Sequence, residues 1–386
     1  MTEGFHAFSK QDALVWGKPA AQAIRDHMVA KDLRRAVILT NHSMAQTGYL
    51  LALMKELGPL VAGSFTECAA HSPRDSVLKG AAVARSCRAD ALIAVGGGSV
   101  IDAVKLMLGC LWLDLKSHED VDSLRSGAHR EALKADQRLR MMAVPTTLSA
   151  AEFTHLAGIT DTRTATKELF EHPLYAPSLV VLDPIATQDT PAWLMASTGI
   201  RSVDHCVETI CSNRPSPYAD AMAQSGLELL VKGLRAVQDA PSDLNARLNC
   251  QLGTWLAISG PVAGVPIGAS HVIGRVLGGA FGVPHGHTSC VLLPGVLRWN
   301  APASETKQKR VAAAMGQPHR PAADVVAELV RGLQQPSSLR DIGIQRDHFP
   351  LIAEKSLQMF KHPGSAGNPR PIKNKEDVFE ILESVY

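Results

Sequence analysis

Two pairs of side chains in the second half of the chain have a spacing that suits chemistry. Arg201 stands four residues before His205, and His271 four before Arg275. Residues four apart share one face of a helix, so each pair sets a fork-shaped carboxylate binder beside an imidazole. Two such faces lining one cleft suit a small substrate with one or two carboxylates and a reducible keto or enone group. An arginine would stabilise the oxygen on which charge develops, and a histidine would supply a proton. The plainer alternative for Arg201 is a salt bridge, with Glu208 a ready partner on the same helix.

A different chemistry is written in the first half. Ala91 to Val95 is an apolar run, followed by Gly96-Gly97-Gly98 and then by Ser99, Val100, Asp102, Val104 and Lys105. The run reads as a buried parallel strand and the residues after the glycines as a helix, with Ser99 able to cap it. Glycine lets the backbone turn sharply and come close to a ligand. Free amides at the helix start, aided by the helix dipole, make an anion site suited to phosphate. Neither GxxxxGK[ST] nor GxGxxG is present, so this is not one of the common phosphate loops.

The elements that must hold these residues fall into two halves. Strands at Arg34 to Thr40, Leu60 to Phe65, Met141 to Thr147 and Ser178 to Pro184 alternate with helical stretches at Met44 to Leu57 and Asp75 to Ser86. That alternation argues for a parallel sheet covered on both faces. Lys116 to Gln137 is polar and reads as an exposed helical excursion. From Thr190 onward strand signals vanish and helical periodicity takes over, which places a boundary near residue 185. The expected fold is α/β plus all-α, with a nucleotide-binding domain over 1–185, a helical domain over 186–386 and the active cleft between them.

Bulk properties remove other classes. The 386 residues carry a net charge of +2 with no basic block, which argues against nucleic acid. No apolar run approaches the roughly 18 residues of a membrane span. Seven scattered cysteines without CxxC spacing suit reduced thiols, and so a cytoplasmic enzyme is expected.

Gly96-Gly97-Gly98-Ser99-Val100-Ile101-Asp102-Ala103-Val104-Lys105 resembles the GGGSxxDxxK signature of the iron-containing alcohol dehydrogenases. Pro145-Thr146-Thr147 is similar to that family's PTT motif, while Leu148 to Thr154 replaces its glycine-rich TGSE loop. Gly199 to Glu208 is similar to its GxDALxHAxE helix, and Asn368-Pro369-Arg370-Pro371 to the terminal NPRP of the maleylacetate reductase branch. The resemblance implies a dehydroquinate-synthase-like fold, NADH or NADPH as cofactor, and a homodimer. It implies cofactor contacts from Gly96, Gly97, Gly98, Ser99, Asp102, Lys105, Thr146 and Thr147. Asn41 falls where relatives often carry aspartate, so a 2′-phosphate is not repelled by charge.

The same resemblance places the family's divalent metal, iron or zinc, on an aspartate and three histidines. The histidines match His205, His271 and His285, but the aspartate falls on Arg201, and a further histidine has become Arg275. Guanidinium stays charged and cannot ligate. Loss of the metal is therefore expected; were it kept, His205, His271 and His285 would hold it, with Arg201 swung away. His287 could also reach the cleft. The expected activity is metal-free, NAD(P)H-dependent reduction of a carboxylated enone or keto compound. The alternatives are a metal-dependent alcohol or aldehyde dehydrogenase, and a catalytically silent nucleotide-binding homologue.

Overall fold

A computed structural model of the protein describes residues 8–125, 139–164 and 166–386. The chain divides into two compact units, one over Ser9–Asp189 and one over Thr190–Tyr386.

The first unit is built on six parallel strands. They are β1 (Ala13–Trp16), β2 (Ala36–Leu39), β3 (Val61–Phe65), β4 (Ala91–Gly96), β5 (Arg140–Pro145) and, after an antiparallel hairpin of β6 (Leu156–Asp161) and β7 (Thr166–Glu171), β8 (Leu179–Leu182). Their order is β1-β8-β5-β4-β2-β3. Helices α1 (Ala20–Ala30), α2 (His42–Ala45), α3 (Gly48–Leu57), α4 (Arg74–Ser86), α5 (Gly98–Trp112) and α6 (His118–Arg125) connect the strands. The inner strands are apolar throughout because both faces are covered. Val37, Leu39, Leu92, Ala94, Met141 and Ala143 join one core with α4 and α5. The alternate residues Ala36, Ile38, Ala91, Ile93, Met142 and Val144 join another with α1 and α3. Each fully buried Leu, Ile or Val contributes about 1.5–3 kcal/mol.

Three departures from the sequence reading have local causes. Met44 to Leu57 is not one helix: Asn41 caps α2 by accepting from Met44 N (2.8 Å), and Thr47 starts α3 by accepting from Leu50 N (3.2 Å). The β6–β7 hairpin gives a weak strand signal because one side is exposed, while Ala157, Ile159 and Phe170 are buried. Arg74 helps fasten it, fully buried among Asp122 (2.7 Å), Asp161 (3.5 Å) and Glu168. The polar excursion is helical over His118–Arg125; its remainder up to Gln137 lies outside the described residues.

In the second unit every regular element among the described residues is helical. The α-helices are α7 (Ala192–Cys211), α8 (Pro217–Asp239), α9 (Leu244–Ala257), α10 (Ser259–Val262), α11 (Ala269–Phe281), α12 (His285–Ala314), α13 (Ala322–Gly332), α14 (Phe349–Phe360) and α15 (Lys375–Glu383). α7 runs through the middle, packed against α8 and α12 and buried on all sides from Ser202 to Cys211. A polar residue on that stretch must therefore find its partners inside the protein. All seven cysteines are free, six of them buried.

Candidate active site

The glycine turn lies at the carboxyl end of β4, where the sheet order reverses between β4 and β2. Ligands of open α/β sheets collect at such switch points. Gly97, not Ser99, occupies the helix cap. Ser99 sits inside the first turn, its hydroxyl accepting from His71 N (3.1 Å). A Cβ on Gly97 would lie 2.9 Å from Thr147 Cγ2, so the turn and the loop after β5 are in direct contact. Beside the turn, Thr147 Oγ1 and Ser149 Oγ are buried without a partner. Val100 N and Ile101 N bond Gly97 O (3.0 and 3.1 Å), and the amides before them lie ahead of any carbonyl of their own helix. Together with two orphaned hydroxyls they fit the pyrophosphate of a dinucleotide. Thr146 is buried at the same strand end, and its amide donates to Gly96 O (3.1 Å). Asn41 stands at the end of β2, with its amide oxygen committed to Met44 N.

Asp102 and Lys105 lie behind the turn. The fully buried Lys105 ammonium donates to Ala151 O (2.7 Å), Leu156 O (2.7 Å) and Thr154 Oγ1 (3.0 Å). Asp102 accepts from Gly158 N (3.0 Å) and from Lys105 (3.3 Å). These two side chains fasten the segment 151–158 onto α5. Glu152, buried in that segment, has its carboxyl pushed up to about 7 by burial, against the pull of its backbone hydrogen bond and of Lys105.

In the helical unit, α7 presents Arg201, Asp204, His205 and Glu208 beside Ser270 and His271 of α11 and Ser289 of α12. Arg201 does not pair with Glu208. Its Nη1 donates to Ser289 Oγ (3.1 Å), and Ser289 donates to Asp204 Oδ2 (2.6 Å). Ser270 donates to the same Asp204 oxygen (2.6 Å). Glu208 accepts from Gly268 N (2.7 Å), Ser270 N (2.8 Å) and His271 Nδ1 (2.8 Å), so it closes the start of α11. A Cβ at Gly268 would stand 2.7 Å from Glu208 Oε1, which explains the glycine there. His271 Nδ1 also lies 3.4 Å from Asp204. The rings of His205 and His271 stack, with centroids 4.6 Å apart. His205 Nδ1, His271 Nε2 and Asp204 Oδ1 are buried without partners.

The charges separate the two imidazoles. Burial, reinforced by the positive His271, Arg201 and Arg275, pushes the His205 pKa well below its ordinary value. Burial and Arg201 also act to lower His271, but Asp204 and Glu208 outweigh them, and its pKa is raised. The two stacked rings are thus driven in opposite directions, His205 toward losing its proton and His271 toward keeping it. Asp204, Ser270 and Ser289 escaped the sequence reading. The available signal was a second acid beside His205 on an otherwise apolar helix; for the serines there was none.

His285, the first residue of α12, is exposed rather than part of this cluster, and Arg275 is exposed one turn beyond His271. His287 packs its ring on Trp193, 5.5 Å away. Asn368 and Asn300 exchange amide hydrogen bonds (2.9 and 2.8 Å), and Asn368 also accepts from Ala269 N (3.3 Å). Arg370 covers Trp299 at 3.9 Å. The terminal NPRP segment therefore braces the start of α11.

These residues do not fit the three-histidine metal site that the resemblance implies. Among the described residues the one set whose ligand atoms converge within 4.8 Å is Asp204, Glu208 and His271. Its carboxylates already accept from backbone amides and serines, and Arg201 occupies the aspartate position with a positive charge.

A parallel sheet covered by helices, followed by an all-helical unit, is the architecture of a known group of oxidoreductases. The chain belongs to the iron-containing alcohol dehydrogenase family, whose models match residues 12–184 (iron-containing alcohol dehydrogenase) and 195–386 (the family's C-terminal domain). Members of that family are oxidoreductases. The chain is 31% identical to the dehydrogenase FUM7 of Gibberella moniliformis, over 92% of this chain and 93% of that one. It is 29% identical to maleylacetate reductase 2 of Cupriavidus pinatubonensis, over 97% and 94%. The crystal structure of maleylacetate reductase from Agrobacterium tumefaciens superposes with a TM-score of 0.82 at 25% identity, covering 100% of this chain and 99% of that one.

Proposed function

We propose that the protein is an NAD(P)H-dependent reductase of a small carboxylated enone or keto compound, of the maleylacetate type, and that it works without a divalent metal. The observation that carries this is Arg201. It stands where the family's metal-binding aspartate would be and is tied through Ser289 to a buried carboxylate. The glycine turn, Thr146, Thr147 and Ser149 would hold the pyrophosphate, and Asn41 would face the adenosine ribose. When bound, the cofactor supplies the hydride. The guanidinium of Arg201, with Arg275 near it, binds substrate carboxylate and opposes the negative charge that the hydride brings. His271, held at Nδ1 by Glu208, presents Nε2 as the proton donor to the enolate or alkoxide oxygen. His205, kept neutral, lies against it as an uncharged wall. One hydride and one proton are added, which balances a two-electron reduction.

The test is elemental analysis of tag-free protein together with NADH oxidation by maleylacetate, before and after chelation. Near-zero metal with activity retained on chelation is the expected result. Stoichiometric iron or zinc, with activity lost on chelation, would make it a metal-dependent dehydrogenase. Arg201→Ala should lower kcat/KM for maleylacetate by roughly 100-fold, in line with one electrostatic donor to a developing oxyanion.

A further inference from the structure

Arg201 is half-buried at the end of a flexible side chain, and Ser289 is its one hydrogen-bond partner among the described residues. A guanidinium is a strong carboxylate binder only when its planar fork is held in place. The direction of its hydrogen-bond chain is fixed by chemistry. Asp204 as a carboxylate can only accept, so the single Ser289 proton goes to Asp204 Oδ2 (2.6 Å), and a Ser289 lone pair takes Arg201 Nη1–H (3.1 Å). A second donor, Ser270, pins the same oxygen (2.6 Å), and Asp204 itself is fully buried. Had Asp204 met Arg201 directly, a bidentate pair would have filled the fork and neutralised it. The intervening hydroxyl takes one N–H and leaves the others for a ligand.

We infer that Ser289 and Asp204 are positioning residues for Arg201: the buried carboxylate, acting through one serine hydroxyl, orients the guanidinium and keeps its fork open for a carboxylate ligand. This rests on the proposed role of Arg201 and adds the part of the site that makes that role possible.

The test is equilibrium binding of maleate, a simple dicarboxylate probe, to the full-length enzyme saturated with NADH. Ser289→Ala should weaken maleate by about 10–100-fold, the effect of losing one hydrogen bond to a charged group. Ser289→Thr, which restores the hydroxyl, should bring affinity back to within about 2-fold of wild type. The double variant Arg201→Ala/Ser289→Ala should bind no more weakly than Arg201→Ala alone, because the serine acts only through the arginine. Additive losses in the double variant, or wild-type affinity in Ser289→Ala, would overturn the inference while leaving Arg201 as the carboxylate binder. Wild-type affinity in Arg201→Ala would instead defeat the reading on which it rests. Should Ser289→Ala fail to fold, Asp204→Asn carries the same expectation, since it removes the charge that aligns the chain and keeps the oxygen.

Discussion

On the proposed reading the glycine turn and the polar cluster would each hold a charged ligand, and they would do so by opposite means. The turn offers backbone amides and a close approach of two loops, with only the small hydroxyls of Thr147 and Ser149 beside them. The cluster uses side chains from three helices, and one changed residue reverses its sign. Arg201, where the resemblance implies a metal-binding aspartate, is such a change, and the buried carboxylate of Asp204, three residues on, faces its charge through Ser289. A backbone site is hard to retune but easy to block. A side-chain site is easy to retune and fails in parts.

Blocking the first site should give the largest effect. Gly97→Val adds a branched side chain where even a Cβ comes within 2.9 Å of Thr147. NADH should then bind about 100-fold more weakly or worse, nearly 3 kcal/mol, as measured by fluorescence titration. Affinity close to wild type would mean that the cofactor does not approach this turn, and the contrast between the two sites would be lost.

The cluster should instead degrade in part. Glu208→Gln keeps the shape but replaces a two-oxygen acceptor by one oxygen and a donor, although three donors converge on it. Turnover should fall roughly 10–100-fold, the usual cost of losing a partner that orients a histidine. NADH affinity should stay as it was. A parallel fall in NADH affinity would show that Glu208 acts on the fold at large.

What the sequence told follows the same division. The glycine turn was legible because strand, turn and helix are contiguous, so local rules suffice. Arg201, His205, His271 and Arg275 were legible as pairs through helical spacing. Which pairs work together was not, because it depends on where α7, α11 and α12 meet. Spacing offers Glu208 as an alternative partner for Arg201, whereas it closes the start of α11, and nothing in the spacing points to the serines that complete the cluster. His285 was grouped with the other two histidines by resemblance, but the backbone leaves it exposed at the start of α12. Residue type points to Ser99 as the cap, whereas Gly97 takes that place, where Thr147 would crowd any side chain. Asp102 and Lys105 show the limit of motif reading: a signature of spacing does not reveal that both side chains turn inward.

A smaller effect probes the loop beside the turn through pH. Burial raises the Glu152 carboxyl from an ordinary value of 4.5 to about 7. Between those values the folded protein keeps a proton that the unfolded chain has released, so stability falls as pH rises through this range and levels off above it. Glu152→Gln cannot ionise. It should leave stability unchanged at pH 5 and raise it at pH 8 by on the order of 1–2 kcal/mol, read as a shift in Tm. An equal change at both pH values would show that ionisation of Glu152 is not the cause.

The smallest effects compare one backbone conformation at two places. Ala150, in the loop beside the glycine turn, has φ 65°, and Gln334, after α13, has φ 56°. Both are left-handed, which costs a residue with a Cβ about 1–2 kcal/mol. At Gln334 the helix ends with Gln335 N donating to Val330 O (3.1 Å) in the geometry that favours glycine. The side chain there is exposed, so Gln334→Gly relieves the strain against only the added freedom of the unfolded chain, about 0.4–1 kcal/mol. A net gain of about 0.5–1 kcal/mol should appear as a higher Tm. At Ala150 the same relief is opposed by that entropy and also by loss of a methyl group that is 1% exposed. Burial of such a group contributes about 0.8 kcal/mol. Ala150→Gly should therefore stay within about 0.5 kcal/mol of wild type. Equal gains at the two positions would mean that the Ala150 methyl contributes nothing to the loop beside the turn.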